Sequence, residues 1–142
     1  MSVSARNQLS GTVSAIANGA VNDEVEVTLS GGEKLTAIVT TKSQQTLGLQ
    51  TGKEVIALIK ASWVMLASAD CNLLFSARNN FPGEIVHLER GAVNASVKIK
   101  TDSGLELTAV VTNESLDEMA LDNGKRVLAL VKASSVLLAV KQ

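Results

Sequence analysis

The spacing of apolar and polar residues along this chain predicts a series of short β-strands. Residues 25–29, Val-Glu-Val-Thr-Leu, alternate with a period of two, as expected of a strand with one buried face. Residues 30–32, Ser-Gly-Gly, predict a turn, and residues 35–41 then form the returning strand of a hairpin. Residues 55–60 are apolar at all but the last position, which predicts a strand buried on both faces. A last strand is predicted over residues 62–67.

A short helix is predicted between the third and fourth strands. Residues 41–48 contain few β-forming residues and end on glycine, so they can make one or two helical turns. Residues 113–120, at the equivalent place later in the chain, combine acidic residues with Leu and Met and predict the same helix. Five strands with a short helix before the fourth are typical of a small OB-like barrel, although periodicity alone does not separate it from another small barrel.

The chain contains an internal repeat with a constant offset of about 72 residues, and no gap is needed to align the two copies. We therefore predict an all-β fold of two tandem OB-like five-stranded β-barrels. The first module covers residues 1–68, a linker covers 69–75, and the second module covers 76–142. The repeated segments are residues 4–7 and 76–79, 19–22 and 91–94, 35–40 and 107–112, and 60–62 and 132–134.

Composition and charge narrow the range of functions. Aromatic residues make up only 2% of the chain and the net charge is -1, which argues against a nucleic-acid-binding module with a basic groove and stacking platforms. The single cysteine, Cys71, permits no intrachain disulfide, which fits a reducing compartment. The first residues lack the apolar segment of a signal peptide, and no apolar run approaches the roughly 20 residues of a membrane span. We expect a soluble, cytoplasmic protein without membrane or nucleic-acid partners.

Residues that could form a catalytic centre are not repeated. The only histidine, His87, aligns with Ala15 of the first copy, and no cysteine and histidine cluster could bind zinc. The carboxylates Glu33 and Glu54 have no acidic counterparts in the second copy, so a pair of acids for general acid and base catalysis is not kept in one place. No glycine-rich phosphate loop is present. We expect no catalytic residues and no enzymatic activity.

The polar residues that both copies keep are hydrogen-bond donors, and no carboxylate is shared. A site made of donors suits an anion that accepts hydrogen bonds on all sides. A fully deprotonated tetrahedral dianion fits best, because a monoprotonated phosphate would bring a proton that finds no acceptor. The shared pairs include Ser4/Ser76, Arg6/Arg78, Asn7/Asn79, Thr40/Thr112, Ser43/Ser115, Lys53/Lys125, Lys60/Lys132 and Ser62/Ser134.

Several of these residues have both a structural and a binding interpretation. Thr40 and Ser43 stand at the predicted helix start, where they either cap the helix or bind an anion together with free backbone N–H groups. Residues 19–22, Gly-Ala-Val-Asn, either form a turn that needs a positive φ at glycine or present backbone amides to an anion. Arg6, in the predicted first strand, and Lys60, at the end of the most apolar strand, are each typical of surface charges when taken alone. The donor residues that both copies keep, taken together, favour anion binding.

These motifs resemble those of the Mop family, the molbindins or TOBE-type molybdate-binding domains. Residues 4–11, Ser-Ala-Arg-Asn-Gln-Leu-Ser-Gly, are similar to the opening block of that family, and residues 48–55 and 59–61 are similar to its later blocks. The similarity covers nearly the whole chain twice, so the arrangement resembles the tandem, or di-Mop, molbindins. The resemblance implies an OB-like fold, molybdate or tungstate as the ligand, no catalytic cofactor, and a homotrimer with anion sites at subunit interfaces.

The resemblance also implies where the anions bind. Next to these positions the second copy has Asn-Phe-Pro over residues 80–82 and Ser135 in place of Trp63, so equal binding by the two copies is not implied. The family has a second type of site near a symmetry axis, which we place at Gly19, Ala20, Val21, Asn22, Gly91, Ala92, Val93 and Asn94. The molybdate-binding set carried over onto this sequence is Ser4, Arg6, Thr40, Ser43, Lys60, Ala61, Ser62, Ser76, Arg78, Thr112, Ser115, Lys132, Ala133 and Ser134.

We therefore interpret the chain as a non-enzymatic protein that binds molybdate for intracellular storage, buffering or homeostasis. One alternative is an oligonucleotide-binding OB module, which the shortage of aromatic residues disfavours. Another is a regulatory molybdate-sensing domain that acts with a separate partner, because the repeats leave no room for a helix-turn-helix.

Overall fold

The computed structural model describes residues 3–142, and most of these residues lie in β-strands. Within this range, ten strands form two five-stranded antiparallel sheets, with a short helix before the fourth strand of each sequence copy. This confirms the predicted all-β class. The strands are β1 (Asn7–Ala17), β2 (Asn22–Leu29), β3 (Lys34–Thr40), β4 (Glu54–Ile59), β5 (Met65–Ser68), β6 (Asn79–Arg90), β7 (Asn94–Thr101), β8 (Glu106–Thr112), β9 (Arg126–Val131) and β10 (Leu137–Ala139); the helices are α1 (Thr41–Leu47) and α2 (Asn113–Glu118).

Each sheet belongs to one of two compact units. Unit 1 consists of residues 3–59 together with residues 132–142, and unit 2 consists of Lys60–Val131. The strand order in unit 1 is β10-β4-β1-β2-β3, and the order in unit 2 is β5-β9-β6-β7-β8. Because β9 is the repeat equivalent of β4 and β10 that of β5, the two orders are the same arrangement built twice.

The edge strand beside β4 or β9 comes from the other sequence copy in both units. β10 pairs with β4 through Leu137, Leu138 and Ala139. β5 pairs with β9 in the same way. The predicted modules 1–68 and 76–142 therefore follow the sequence repeat, whereas the packed units change over after residues 59 and 131. We call this arrangement the strand exchange.

Aliphatic side chains fill the interior of each unit. On β2, Val25, Val27 and Leu29 are buried and the residues between them are only partly buried, as the period-two pattern predicts. β4 is buried at most positions, in agreement with the prediction of a strand covered on both faces. Burying an aliphatic side chain of this size contributes roughly 1.5–3 kcal/mol. Among the described residues Phe81 is the one buried aromatic side chain, so the core relies on Val, Leu, Ile and Ala.

The two short helices end for different local reasons. α1 stops at Leu47 because Gly48 adopts a left-handed conformation with φ of 65°. α2 stops at Glu118, and Ala120 takes a positive φ of 51° without being glycine. No helix within residues 3–142 is long and apolar enough to cross a membrane.

We expect Leu138→Ala to destabilise unit 1. Leu138 is buried on β10 against β4, so removing its methyl groups should lower the free energy of unfolding by about 2–5 kcal/mol. Amide hydrogen exchange should then show faster exchange in β1 to β4, while β6 to β9 keep their protection. Lys141→Ala, an exposed change in the same segment, serves as the control. Faster exchange confined to β6 to β9 would contradict the strand exchange.

Candidate functional site

A pair of hydroxyl groups marks the start of each short helix. Thr40 Oγ1 accepts a hydrogen bond from the Ser43 amide at 3.0 Å and donates one to Ser43 Oγ at 2.8 Å. Thr112 and Ser115 form the same two bonds at 3.1 and 2.9 Å. The pair therefore caps the helix, and the proton of each serine hydroxyl remains available to an outside acceptor. Capping and binding are compatible functions at this position.

The predicted lysines precede two 3₁₀ turns, Ala61–Trp63 and Ala133–Ser135. Ala61 and Ala133 are buried and anchor these turns, while Lys60 and Lys132 are exposed. The prediction of a strand from residue 62 is wrong for residues 62–64, because the chain makes the 3₁₀ turn first and β5 begins at residue 65. The turn lifts the backbone out of the ladder and leaves the side chains on either side of the buried alanine in solvent.

The strand exchange decides which predicted residues share a unit. The turn Ala133–Ser135 packs against β3, which ends at Thr40, and the turn Ala61–Trp63 packs against β8, which ends at Thr112. Each unit therefore combines the helix start of one copy with the lysine segment of the other copy. Unit 1 holds Ser4, Arg6, Thr40, Ser43, Lys132, Ala133 and Ser134, and unit 2 holds Ser76, Arg78, Thr112, Ser115, Lys60, Ala61 and Ser62.

The arginines stand just before the long first strands. β1 begins at Asn7 and β6 at Asn79, so Arg6 and Arg78 precede these strands and are not part of them as predicted; both are exposed. Asn7 is buried, and its Nδ2 donates to the Ile59 carbonyl at 3.2 Å. This bond holds the start of β1 to the end of β4, which gives the shared asparagine a structural function.

The turn at residues 19–22 depends on glycine for steric reasons. A Cβ atom on Gly19 would lie 2.2 Å from the Asn22 carbonyl oxygen, and one on Gly91 would lie 2.8 Å from the Asn94 oxygen. Neither glycine is among those with a positive φ, so the expectation of a positive φ here is wrong. Close approach of the backbone excludes a side chain at this point.

The amides of these glycines are already used within the fold. The Gly19 amide donates to Asp23 Oδ1 at 3.0 Å, and the Gly91 amide donates to the Asn94 carbonyl at 2.9 Å. An anion at either turn would therefore have to bind through other donors.

Each turn is joined to the start of the following helix. The Thr41 amide donates to the Val21 carbonyl at 2.8 Å, and the Asn113 amide donates to the Val93 carbonyl at 2.9 Å. The turn and the hydroxyl pair are therefore held side by side. Val21 and Val93 are each 71% exposed, so both turns present an apolar side chain to their surroundings.

Asp23 is a buried residue near the site that the sequence analysis missed. Its side chain is fully buried and takes the place of an aliphatic residue in the alternation of β2. The signal was present, since a carboxylate in an apolar register is unusual. It was overlooked because only residues common to both copies were considered, and the second copy has Ala95.

An aromatic ring lies against one of the two predicted lysines. The Lys60 ammonium stands 5.2 Å from the centre of the Trp63 ring, within the range of a cation–π interaction. The second copy has Ser135 at this position, so Lys132 has no equivalent ring beside it in the repeat. The two lysines therefore differ in their surroundings.

Two arginine–aspartate ion pairs lie outside the candidate set of binding residues. Arg90 forms a two-pronged pair with Asp117 at 2.7 and 2.9 Å, and its hydrogen bonds hold the pKa of that carboxyl below its ordinary value. Arg126 likewise donates hydrogen bonds to Asp102 and lowers the pKa of that carboxyl group. In the part of the chain that the structure describes, no group of three or more His, Cys, Asp or Glu side chains could hold a metal ion.

Comparison with protein families gives a match over both halves of the chain. The TOBE domain family matches residues 3–66 and again residues 76–138. The two matched segments correspond to the two sequence copies and are separated by the predicted linker region.

Several curated proteins are similar to this chain. The molybdenum transport protein ModE of Herbaspirillum seropedicae is 40% identical over 142 residues, which is 100% of this chain and 53% of that protein. The molybdenum-pterin-binding protein MopA of Rhodobacter capsulatus is 42% identical over 140 residues, which is 99% of this chain and 53% of that protein. The chain thus spans about half the length of the curated relatives that it matches.

A solved structure is similar over the full length of both chains. The cytoplasmic molybdate-binding protein ModG, crystallised with molybdate bound, is 46% identical and superposes with a TM-score of 0.94. The match covers 99% of this chain and 100% of the ModG chain. The similarity therefore covers both sheets.

Proposed function

The chain belongs to the TOBE domain family, with two copies of the domain in tandem, and from this premise we propose that it binds molybdate or tungstate for intracellular storage, buffering or homeostasis. The proposed protein is a binding protein without catalytic activity or catalytic cofactor, and it acts in the cytoplasm. Each sheet, in this proposal, closes as an OB-like barrel. One observation carries the proposal: the full-length similarity to ModG, a protein whose crystals hold molybdate.

The chemistry of the candidate residues supports an oxyanion ligand. In both units the exposed residues of the set supply hydroxyl, ammonium and guanidinium donors. Molybdate is a tetrahedral dianion without protons near neutral pH, so every oxygen can accept hydrogen bonds. Charge-assisted bonds of this kind contribute roughly 1.5–3 kcal/mol each.

The proposed sites follow the packed units and not the sequence copies. The site of unit 1 uses Thr40 and Ser43 with the segment that starts at Lys132. The site of unit 2 uses Thr112 and Ser115 with the segment that starts at Lys60. A second type of site at residues 19–22 and 91–94 remains part of the proposal, with donors other than the two glycine amides.

We further propose a homotrimer with anion sites at subunit interfaces. The family resemblance supplies the number of subunits. The structure supplies supporting surface: Val21, Val93, Met65 and Leu137 are large apolar side chains that are more than half exposed. They form two repeat-equivalent pairs, and apolar surface of this kind is suited to contact with another subunit.

A regulatory function is the second candidate. The regulator ModE of Escherichia coli strain K12 is 38% identical over 141 residues, and the chain spans 52% of that protein. A molybdate-sensing domain would bind the same anion but would act through a further segment or a partner. The oligonucleotide-binding alternative has little support, since Trp63 is the only exposed aromatic side chain of residues 3–142.

We expect calorimetric titration at slightly alkaline pH to show tight binding of molybdate and tungstate. Sulfate should bind more weakly because it is a smaller oxyanion, and phosphate should bind more weakly because it is partly protonated and the candidate set contains no carboxylate to accept that proton. The same titration in a chain with both lysines changed to alanine is the control. Phosphate binding as tight as molybdate binding would count against the donor-only site.

We expect Lys132→Ala to weaken the unit 1 sites, and Lys60→Ala to weaken the unit 2 sites, by about ten- to a hundred-fold each. Ser43→Ala keeps the capping bond, which uses the Ser43 amide, but removes a unit 1 donor. Ser43→Ala with Lys132→Ala should therefore affect one class of sites, and Ser43→Ala with Lys60→Ala should affect both. Equilibrium dialysis counts the anions, and a thermal melt without molybdate checks folding.

The double variant Lys60→Ala/Lys132→Ala is the decisive case for the lysines. It should fold and should lose both classes of sites. Full anion stoichiometry with near-normal affinity in this variant would remove the lysines from the proposed sites. If Ser43→Ala proves non-additive with Lys60→Ala and additive with Lys132→Ala, the grouping by packed unit is wrong.

We expect multi-angle light scattering at micromolar concentration to give the mass of three chains. The exposed apolar pairs would be covered in such an assembly, so Val21→Ser/Val93→Ser should weaken it. Lys98→Ser, which changes an exposed polar position on β7, is the control. A monomer for the unaltered chain would contradict the proposed assembly.

A further inference from the structure

Asp23 is a buried carboxyl group beneath the turn at residues 19–22. Its Oδ1 accepts hydrogen bonds from the Gly19 amide and from the Thr41 hydroxyl, each at 3.0 Å. Its Oδ2 is buried and has no hydrogen-bond partner within residues 3–142. Both recorded contacts of this carboxyl group are accepted hydrogen bonds, which suit its ionised form. A negative charge at this position would lie inside unit 1, where solvent screens it little.

This carboxylate lies next to the hydroxyl pair of the unit 1 site. In the ladder between β2 and β3, Asp23 faces Val39, the residue before Thr40. Thr41, which donates to the carboxylate, is the residue after Thr40 and the first residue of α1. The Asp23 carboxyl group is thus hydrogen-bonded to Thr41, and Thr40, the residue before Thr41, pairs with Ser43.

In unit 2 the equivalent turn, residues 91–94, is attached to the start of α2 without a charged side chain. Asn113, the repeat equivalent of Thr41, donates from Nδ2 to the Gly91 carbonyl at 2.9 Å, and its amide donates to the Val93 carbonyl. Ala95 takes the place of Asp23 and is buried. The attachment of turn to helix therefore does not require a carboxylate, and the charge of Asp23 is additional to any structural function.

We propose that Asp23 weakens oxyanion binding at the unit 1 site and so makes the two classes of site unequal. The inference rests on the proposed function. A dianion and a buried carboxylate repel each other, and salt does not screen this repulsion as it screens exposed charges. Lys42 on α1 and Glu114 on α2 are exposed and occupy equivalent positions in the two copies. Lys42 attracts an anion at the unit 1 site and Glu114 repels one at the unit 2 site, so these two charges favour the unit 1 site, opposite to the effect of Asp23. At high salt their effects fade, and the unit 1 site is the weaker one.

Asp23→Asn tests the charge with little change of shape. The amide oxygen of asparagine can still accept from Gly19 and Thr41, while the negative charge is removed. The variant is titrated with sodium molybdate in a full-length Lys60→Ala background, in which the unit 1 sites remain. We expect about tenfold tighter binding than in the same background with Asp23, at low and at high sodium chloride. In a Lys132→Ala background, where the unit 2 sites remain, the affinity should not change.

Glu114→Gln is the matched control, because it removes an exposed charge from the start of α2. Its effect on the unit 2 sites should be present at low salt and disappear at high salt. Asp23→Ala, which introduces the residue of the second copy, should tighten the unit 1 sites like Asp23→Asn. It loses the two hydrogen bonds, so its melting temperature should be lower than that of Asp23→Asn.

Three results would overturn the inference. They are unchanged unit 1 affinity in both Asp23 variants, an equal change in both classes of site, or a gain that disappears at high salt. A lower melting temperature without tighter binding would assign Asp23 a purely structural function. If the unaltered chain binds no molybdate, the proposed function fails first, and that outcome is distinct from the three above.

Discussion

Backbone hydrogen bonds between β4 and β10, and between β9 and β5, determine which residues of this chain belong together. A sheet rich in aliphatic residues is exposed to unwanted pairing wherever an edge strand is left open. Here a strand from the other sequence copy covers β4 and β9. The 3₁₀ turns come with these strands, because each turn directly precedes its strand. The composition of both candidate sites is a consequence of this pairing.

Much of the fold could be predicted because its cause is local. The alternation of residues 25–29 depends only on which face of a strand is buried, and the turn and helix signals between strands are equally local. The partner of β5 could not be predicted in this way. A period-two pattern states which side chains face inwards, but β4 and β9 have nearly the same pattern and offer the same edge. The choice between them is made by long-range packing.

The candidate site shows the same division between what sequence can and cannot supply. The donor residues were found by their chemistry and their repetition, and the structure groups them within two units. Gly19 was recognised as special for the wrong reason, because the close approach of the Asn22 carbonyl is a contact that no composition reveals. Asp23 could not be found from the repeat, because only residues common to both copies were taken as candidates and the second copy has Ala95 at this position. Duplication conserves the donors while allowing charges such as those of Asp23 and Glu114 to diverge.

The strand exchange also orders the events of synthesis. Unit 2 is one continuous segment, Lys60–Val131, so all its strands are available once the ribosome has released that stretch. Unit 1 begins earlier but needs β10, which is made after every strand of unit 2. Until then β4 has an open edge, and β5, which leaves the ribosome before β10, is the nearest strand able to cover it. During that interval β5 could pair with β4 as β10 does in the final structure, and only the emergence of β9 and β10 makes the exchanged pairing possible.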